Sequence, residues 1–159
     1  MSQRIDYMKQ SSELTKKFVE FTLACEKSAI EPALHDLVVI RASQINGCAF
    51  CLDMHVKQAT IRGERPLRLY HIAIWPESPL FNPRERAALE WAEVLTRIPE
   101  QGVADEVYQR VRAQLSEKEL SDLTFVMMSI NAWNRINVGF TVVPGTFDKV
   151  YGLDKSGLV

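Results

Sequence analysis

A chain of 159 residues, 47% apolar and 25% charged with a formal net charge of −1, has the make-up of a soluble globular protein and can bury a core without disulfide staples. The near-zero net charge and the lack of any Lys/Arg block argue against nucleic acid as a partner, and no run approaches the ~18 apolar residues that would cross a membrane. Met1-Ser2-Gln3-Arg4-Ile5-Asp6 holds no apolar signal core, and two of the three cysteines share one turn, so a cytoplasmic protein with a working thiol pair is expected rather than a secreted framework.

Leu14, Phe18, Phe21 and Cys25 recur at helical spacing, which predicts an amphipathic helix over 11–28 with that stripe, Cys25 included, turned inward. Pro32 opens a second helix that runs to Asn46 and stops at Gly47, and a third runs from Cys48 to Gly63. A short helix follows Pro66 and reaches Trp75, where Trp75-Pro76-Glu77-Ser78-Pro79 breaks it. Asn82, Pro83 and Glu85 supply a cap, a first-turn proline and a capping-box carboxylate for a helix over 83–97. An amphipathic segment over 104–114 comes next, and Ser116 with Glu119 caps a long helix over 117–140.

In that last helix Leu120, Leu123, Phe125, Val126, Met127, Met128 and Ile130 leave little polar surface. It must run through the middle of the domain or be covered by a second subunit. No repeat, linker or alternating strand pattern interrupts the chain, so residues 1–159 are expected to form one domain of the all-α class.

The chemistry concentrates in Gly47-Cys48-Ala49-Phe50-Cys51-Leu52-Asp53-Met54-His55. Its two thiols and imidazole stand at i, i+3 and i+7, one stripe of a helix. Such a dithiol can close into a disulfide and reopen, and the imidazole can move the proton that thiol chemistry requires. Cys48 lies in the first turn, where unpaired amides and the helix dipole favour a thiolate, whereas Cys51 has His55 one turn away. If the helices flanking Gly47 fold back as a hairpin, Asp36 comes within reach of His55, and a carboxylate–imidazole–thiol relay becomes possible. Two thiolates and an imidazole also suit a zinc site, given a fourth ligand from elsewhere.

Asp36 can equally be read as a first-turn carboxylate near Pro32. His35 and His71 read as surface or satisfied side chains, Trp75 and Trp133 as core or interface aromatics, Cys25 as an inert buried thiol, and Arg84-Glu85-Arg86 as a solvated face.

An acidic residue twelve positions before the first cysteine, the pair itself, a His four after the second, and the later Ile130-Asn131-Ala132-Trp133-Asn134-Arg135 resemble AhpD-like alkylhydroperoxidases of the carboxymuconolactone decarboxylase superfamily. The resemblance runs from about residue 31 to residue 144. It implies an all-α antioxidant fold, assembled as a homo-oligomer, often a trimer or hexamer. It also implies reduction of organic or hydrogen peroxides by a redox-active disulfide, with no bound cofactor and with recycling by an external dithiol protein.

Carried over, Cys48 and Cys51 match the redox pair, His55 the relay imidazole and Asp36 the relay carboxylate. Two positions depart from the family pattern, Asp36 standing where Glu is usual and Phe50 where the better-studied peroxidase has His. Cys51 is expected to attack peroxide and Cys48 to resolve the product. The alternative is a redox-sensing or oligomeric interaction protein that uses the same disulfide without turnover.

Overall fold

The computed structural model describes residues 2–158. Every regular element among them is helical: α1 (Tyr7–Gln10), α2 (Ser12–Glu26), α3 (Pro32–Ile45), α4 (Ala49–Ile61), α5 (Pro66–His71), α6 (Pro83–Thr96), α7 (Asp105–Arg112), α8 (Glu117–Gly139) and α9 (Asp148–Tyr151), with short 3₁₀ turns over Ile72–Glu77 and Leu153–Ser156. Local chemistry sets most starts. Proline occupies the first turn of α3, α5 and α6, where its fixed φ suits the helix and its missing N–H has no partner to lose. Reciprocal capping boxes, Asn82 with Glu85 and Ser116 with Glu119, begin α6 and α8.

The core is built around α3, which packs on α4, α6 and α8. Leu34, Leu37, Val38, Val39, Ile40 and Ala42 are all buried, so this helix is apolar on nearly every side because neighbours surround it. Gly47 turns the chain from α3 into α4 at φ +64, with open space where a side chain would stand. What the turn needs is the left-handed backbone, which glycine adopts without strain.

Three expectations need correction. The stripe on α2 is inward only toward its C-terminal end: Cys25 is buried and Phe18 and Phe21 half-buried, but Leu14 is 72% exposed. The helix expected over 66–75 ends at His71, and the chain continues as a 3₁₀ turn kinked at Ile74. Arg84-Glu85-Arg86 is a stapling cluster rather than a solvated face. Arg84 pairs with Glu31 and Glu119, Glu85 with the buried Arg68, and Arg86 donates to the Trp75, Pro76 and Ser78 carbonyls.

Neither α1 nor α9 was foreseen, since four residues carry too little periodicity to read. On α8, Leu120, Leu123, Val126, Met127 and Ile130 are buried, while Phe125 and Met128 are 47% and 55% exposed. No described helix is long and apolar enough to cross a membrane.

Candidate active site

Cys48 is the N-cap of α4, and its sulfur accepts a hydrogen bond from the Cys51 backbone N–H at 3.3 Å. Cys51 is the third helical residue, and the two sulfurs are paired as a disulfide across a Cα–Cα distance of 5.4 Å. Both are buried. The turn that presents them is fixed from α8. Asn46 Nδ2 donates to Asn131 Oδ1 at 2.9 Å and to Asn134 Oδ1 at 2.8 Å, and Asn134 Nδ2 reaches Ser43 Oγ at 3.2 Å. The Asn131-Ala132-Trp133-Asn134 stretch therefore bolts the α3–α4 corner in place.

Cys51 and His55 open onto a largely apolar cavity of about 380 Å³; Cys48 does not border it. Trp133, Met54, Phe50 and Phe147 form much of the wall, and Trp133 Nε1 is tied to Thr22 Oγ1 at 2.8 Å. Trp133 is thus a pocket residue as well as a packing one. Trp75 is buried away from the cavity and donates to Glu93 at 2.8 Å.

His55 is buried, and desolvation, followed by the nearby His35, pushes its pKa down to about 4. The ring is neutral near pH 7. Its Nδ1 meets Gln58 Oε1 at 2.8 Å; a carbonyl oxygen can only accept, so Nδ1 carries the proton and Nε2 keeps its lone pair. Asp36 is brought to the same corner but not into a bond with His55. Its carboxylate pairs with Arg62 and lies 3.8 Å from His35 Nδ1, and it acts on His55 through its field. A buried carboxylate requires a close partner, and the guanidinium one turn beyond Gln58 supplies it.

The structure thus brings Cys48, Cys51 and His55 together on one helix face and sets Asp36 behind them. His35, read from sequence as a bystander, lines the cavity with its ring edge-on to His55 at 6.4 Å. Gln58 and Asn137 were missed. Gln58 was legible as the i+3 neighbour of His55. Asn137, whose Nδ2 lies 3.3 Å from Cys51 Sγ, ends the cavity-facing stripe Val126, Ile130, Trp133 on α8, but a stripe alone does not say which helix it faces. His71 is satisfied by Ser78 at 3.0 Å. Among the described residues no group of three His, Cys, Asp or Glu is arranged to hold a metal ion.

The family model for the carboxymuconolactone decarboxylase family matches residues 12–94. The chain belongs to this family. The uncharacterized protein YdfG of Bacillus subtilis is 41% identical over 138 residues, which is 87% of this chain and 94% of YdfG. The uncharacterized protein YnjA of Escherichia coli is 32% identical over 112 residues, 70% of this chain and 61% of YnjA.

Among solved structures, a protein of unknown function from Agrobacterium tumefaciens, suggested to be the antioxidant defence protein AhpD, superposes with a TM-score of 0.88 at 37% identity over 91% of this chain and 99% of that one. The debrominase Bmp8 shares the fold at a TM-score of 0.75, with 18% identity over 94% of this chain and 80% of its own. The chain is therefore AhpD-like in sequence and fold.

Proposed function

We propose that the protein is a dithiol peroxidase that reduces hydroperoxides, organic ones in particular, through Cys48 and Cys51. The observation that carries this reading is that Cys51, and not Cys48, borders the apolar cavity beside a neutral His55. A cavity of about 380 Å³ is far larger than hydrogen peroxide needs and falls in the range of small-molecule sites.

In the reduced protein His55 Nε2 takes the Cys51 proton, and the thiolate attacks one oxygen of ROOH. The O–O bond breaks, the departing alkoxide recovers the proton and leaves as alcohol, and Cys51 is oxidised to the sulfenic acid. The Cys48 thiol then attacks the Cys51 sulfur. The hydroxyl leaves with the Cys48 proton as water, and the disulfide closes. An external dithiol returns two electrons and two protons through a mixed disulfide and is itself oxidised. Asp36, held by Arg62, is assigned a positioning role, steadying charge at the imidazole without contacting the reacting atoms.

The proposal includes a homo-oligomer. Phe125 and Met128 on α8 and Val19 and Leu23 on α2 stay exposed, large apolar side chains of the kind that subunit contacts cover.

Steady-state consumption of tert-butyl hydroperoxide and of hydrogen peroxide with dithiothreitol as reductant, against a Cys48→Ser/Cys51→Ser control, tests the activity. Turnover that vanishes in the control is expected. Stoichiometric disulfide formation without turnover would replace the peroxidase by the redox-sensing reading. Roles are separated by a sulfenic-acid trap, which should label Cys51 in the Cys48→Ser protein and find nothing on Cys48 in the Cys51→Ser protein.

A further inference from the structure

A buried thiolate needs hydrogen bonds or positive charge, and the two sulfurs are supplied differently. Cys48 Sγ has the Cys51 backbone N–H, a donor any helix start provides. Cys51 is the third helical residue, and no backbone N–H donates to its sulfur. His55 can take the Cys51 proton during the reaction, but with its pKa pushed down to about 4 it is uncharged at rest and gives the sulfur no standing cation. What does point at Cys51 Sγ is the side-chain amide of Asn137, 3.3 Å away and arriving from α8.

Asn137 is itself buried, and Tyr7 O–H donates to its Oδ1 at 3.4 Å from α1. Tyr7 holds its proton firmly, burial pushing its pKa up to about 12. With the carbonyl end of the amide engaged by this phenol, the N–H end faces the sulfur. The Tyr7 ring is in turn stacked on Phe140 at 5.9 Å and packed on Trp133 at 6.4 Å.

We infer that Asn137 is a catalytic donor that stabilises the Cys51 thiolate, with Tyr7 as the positioning residue that orients its amide. The inference rests on the reading of Cys51 as the attacking sulfur. It explains why three elements distant in sequence meet there: α4 brings the sulfur, α8 the amide and α1 the phenol. A protonated thiol gains little from an N–H donor, whereas an anion gains a charge-assisted bond. The contact therefore favours the ionised form. The other titratable groups facing the cavity are His55 on α4, His35 on α3, Cys25 and Glu26 on α2, and Tyr151 on α9. All of them stay in place in the variants below.

The test reads ionisation rather than peroxide turnover. In the reduced Cys48→Ser protein, the rate of Cys51 alkylation by iodoacetamide is followed against pH by peptide mass spectrometry. Asn137→Leu is expected to raise the midpoint by roughly one to two pH units, and so to slow alkylation by roughly tenfold or more at pH 7, with the alkaline plateau unchanged. Asn137→Asp should raise it further, because a carboxylate then faces the sulfur. Tyr7→Phe, which keeps the ring packing, should raise it by a smaller amount.

A midpoint unchanged in Asn137→Leu overturns the inference whether or not the parent reduces peroxides. Should Asn137→Leu fail to fold by circular dichroism, Tyr7→Phe decides: a raised midpoint sustains the inference and an unmoved one overturns it. If the midpoints shift as expected but the parent turns over no hydroperoxide, the thiolate assignment stands and the peroxidase reading falls.

Discussion

The buried neutral imidazole makes a quantitative demand on stability. His55 has a pKa of about 4 when folded, against 6.5 for a free imidazole, so between these values the unfolded chain binds a proton that the folded chain refuses. Its contribution to stability is therefore complete above pH 6.5 and is lost as the pH falls toward 4. At about 1.4 kcal/mol per pH unit the whole interval amounts to about 3 kcal/mol, of which about 2 kcal/mol is gone by pH 5.

The assay is urea unfolding of the oxidised protein at pH 7, 6 and 5, in parallel with His55→Gln, which keeps a polar side chain but cannot titrate. The carboxylates held low by their hydrogen bonds, Glu31, Glu119 and Asp122, are common to both proteins and cancel in the comparison. The parent should lose about 2 kcal/mol more than the variant between pH 7 and pH 5. A stability difference between the two that stays constant over this range would refute the reasoning, and with it the picture of a desolvated, uncharged His55.

Thiol counting should find two groups lost on mild oxidation and Cys25 retained, because burial and then the Asp122 and Glu26 charges raise the Cys25 pKa; loss of Cys25 in place of the pair would contradict this. Lys57→Met should destabilise the protein by about 2 kcal/mol in urea unfolding. The buried ammonium bridges Asp53 at 2.9 Å and Asp148 at 2.7 Å, so its loss strands two carboxylates at the junction of α4 with α9. Light scattering at micromolar concentration is expected to give several times the 18.1 kDa chain mass, and Phe125→Asp with Met128→Asp to lower it; a parent that runs as a monomer would remove the oligomer from the proposal.

The sequence by itself determined the all-α class, most helix starts and the chemical core of the site. Each of these is encoded within a few residues. Pro32, Pro66 and Pro83 stand in first turns, Asn82 with Glu85 and Ser116 with Glu119 satisfy helix-start amides three residues apart, and Cys48, Cys51 and His55 share a face because 3.6 residues make a turn.

The tertiary structure decided what those groups touch. It gave Asp36 to Arg62 instead of His55, placed His35 against the His55 ring, and aimed Asn137 of α8 at Cys51 with Tyr7 of α1 behind it. Only it shows that Cys51 rather than Cys48 borders the cavity, since that depends on how α3, α8 and the 3₁₀ turn at 153–156 pack around α4. Such contacts join residues up to 130 positions apart. Helical periodicity fixes which side chains share a stripe, but the partner of that stripe is set by how the helices pack, and no local spacing records it.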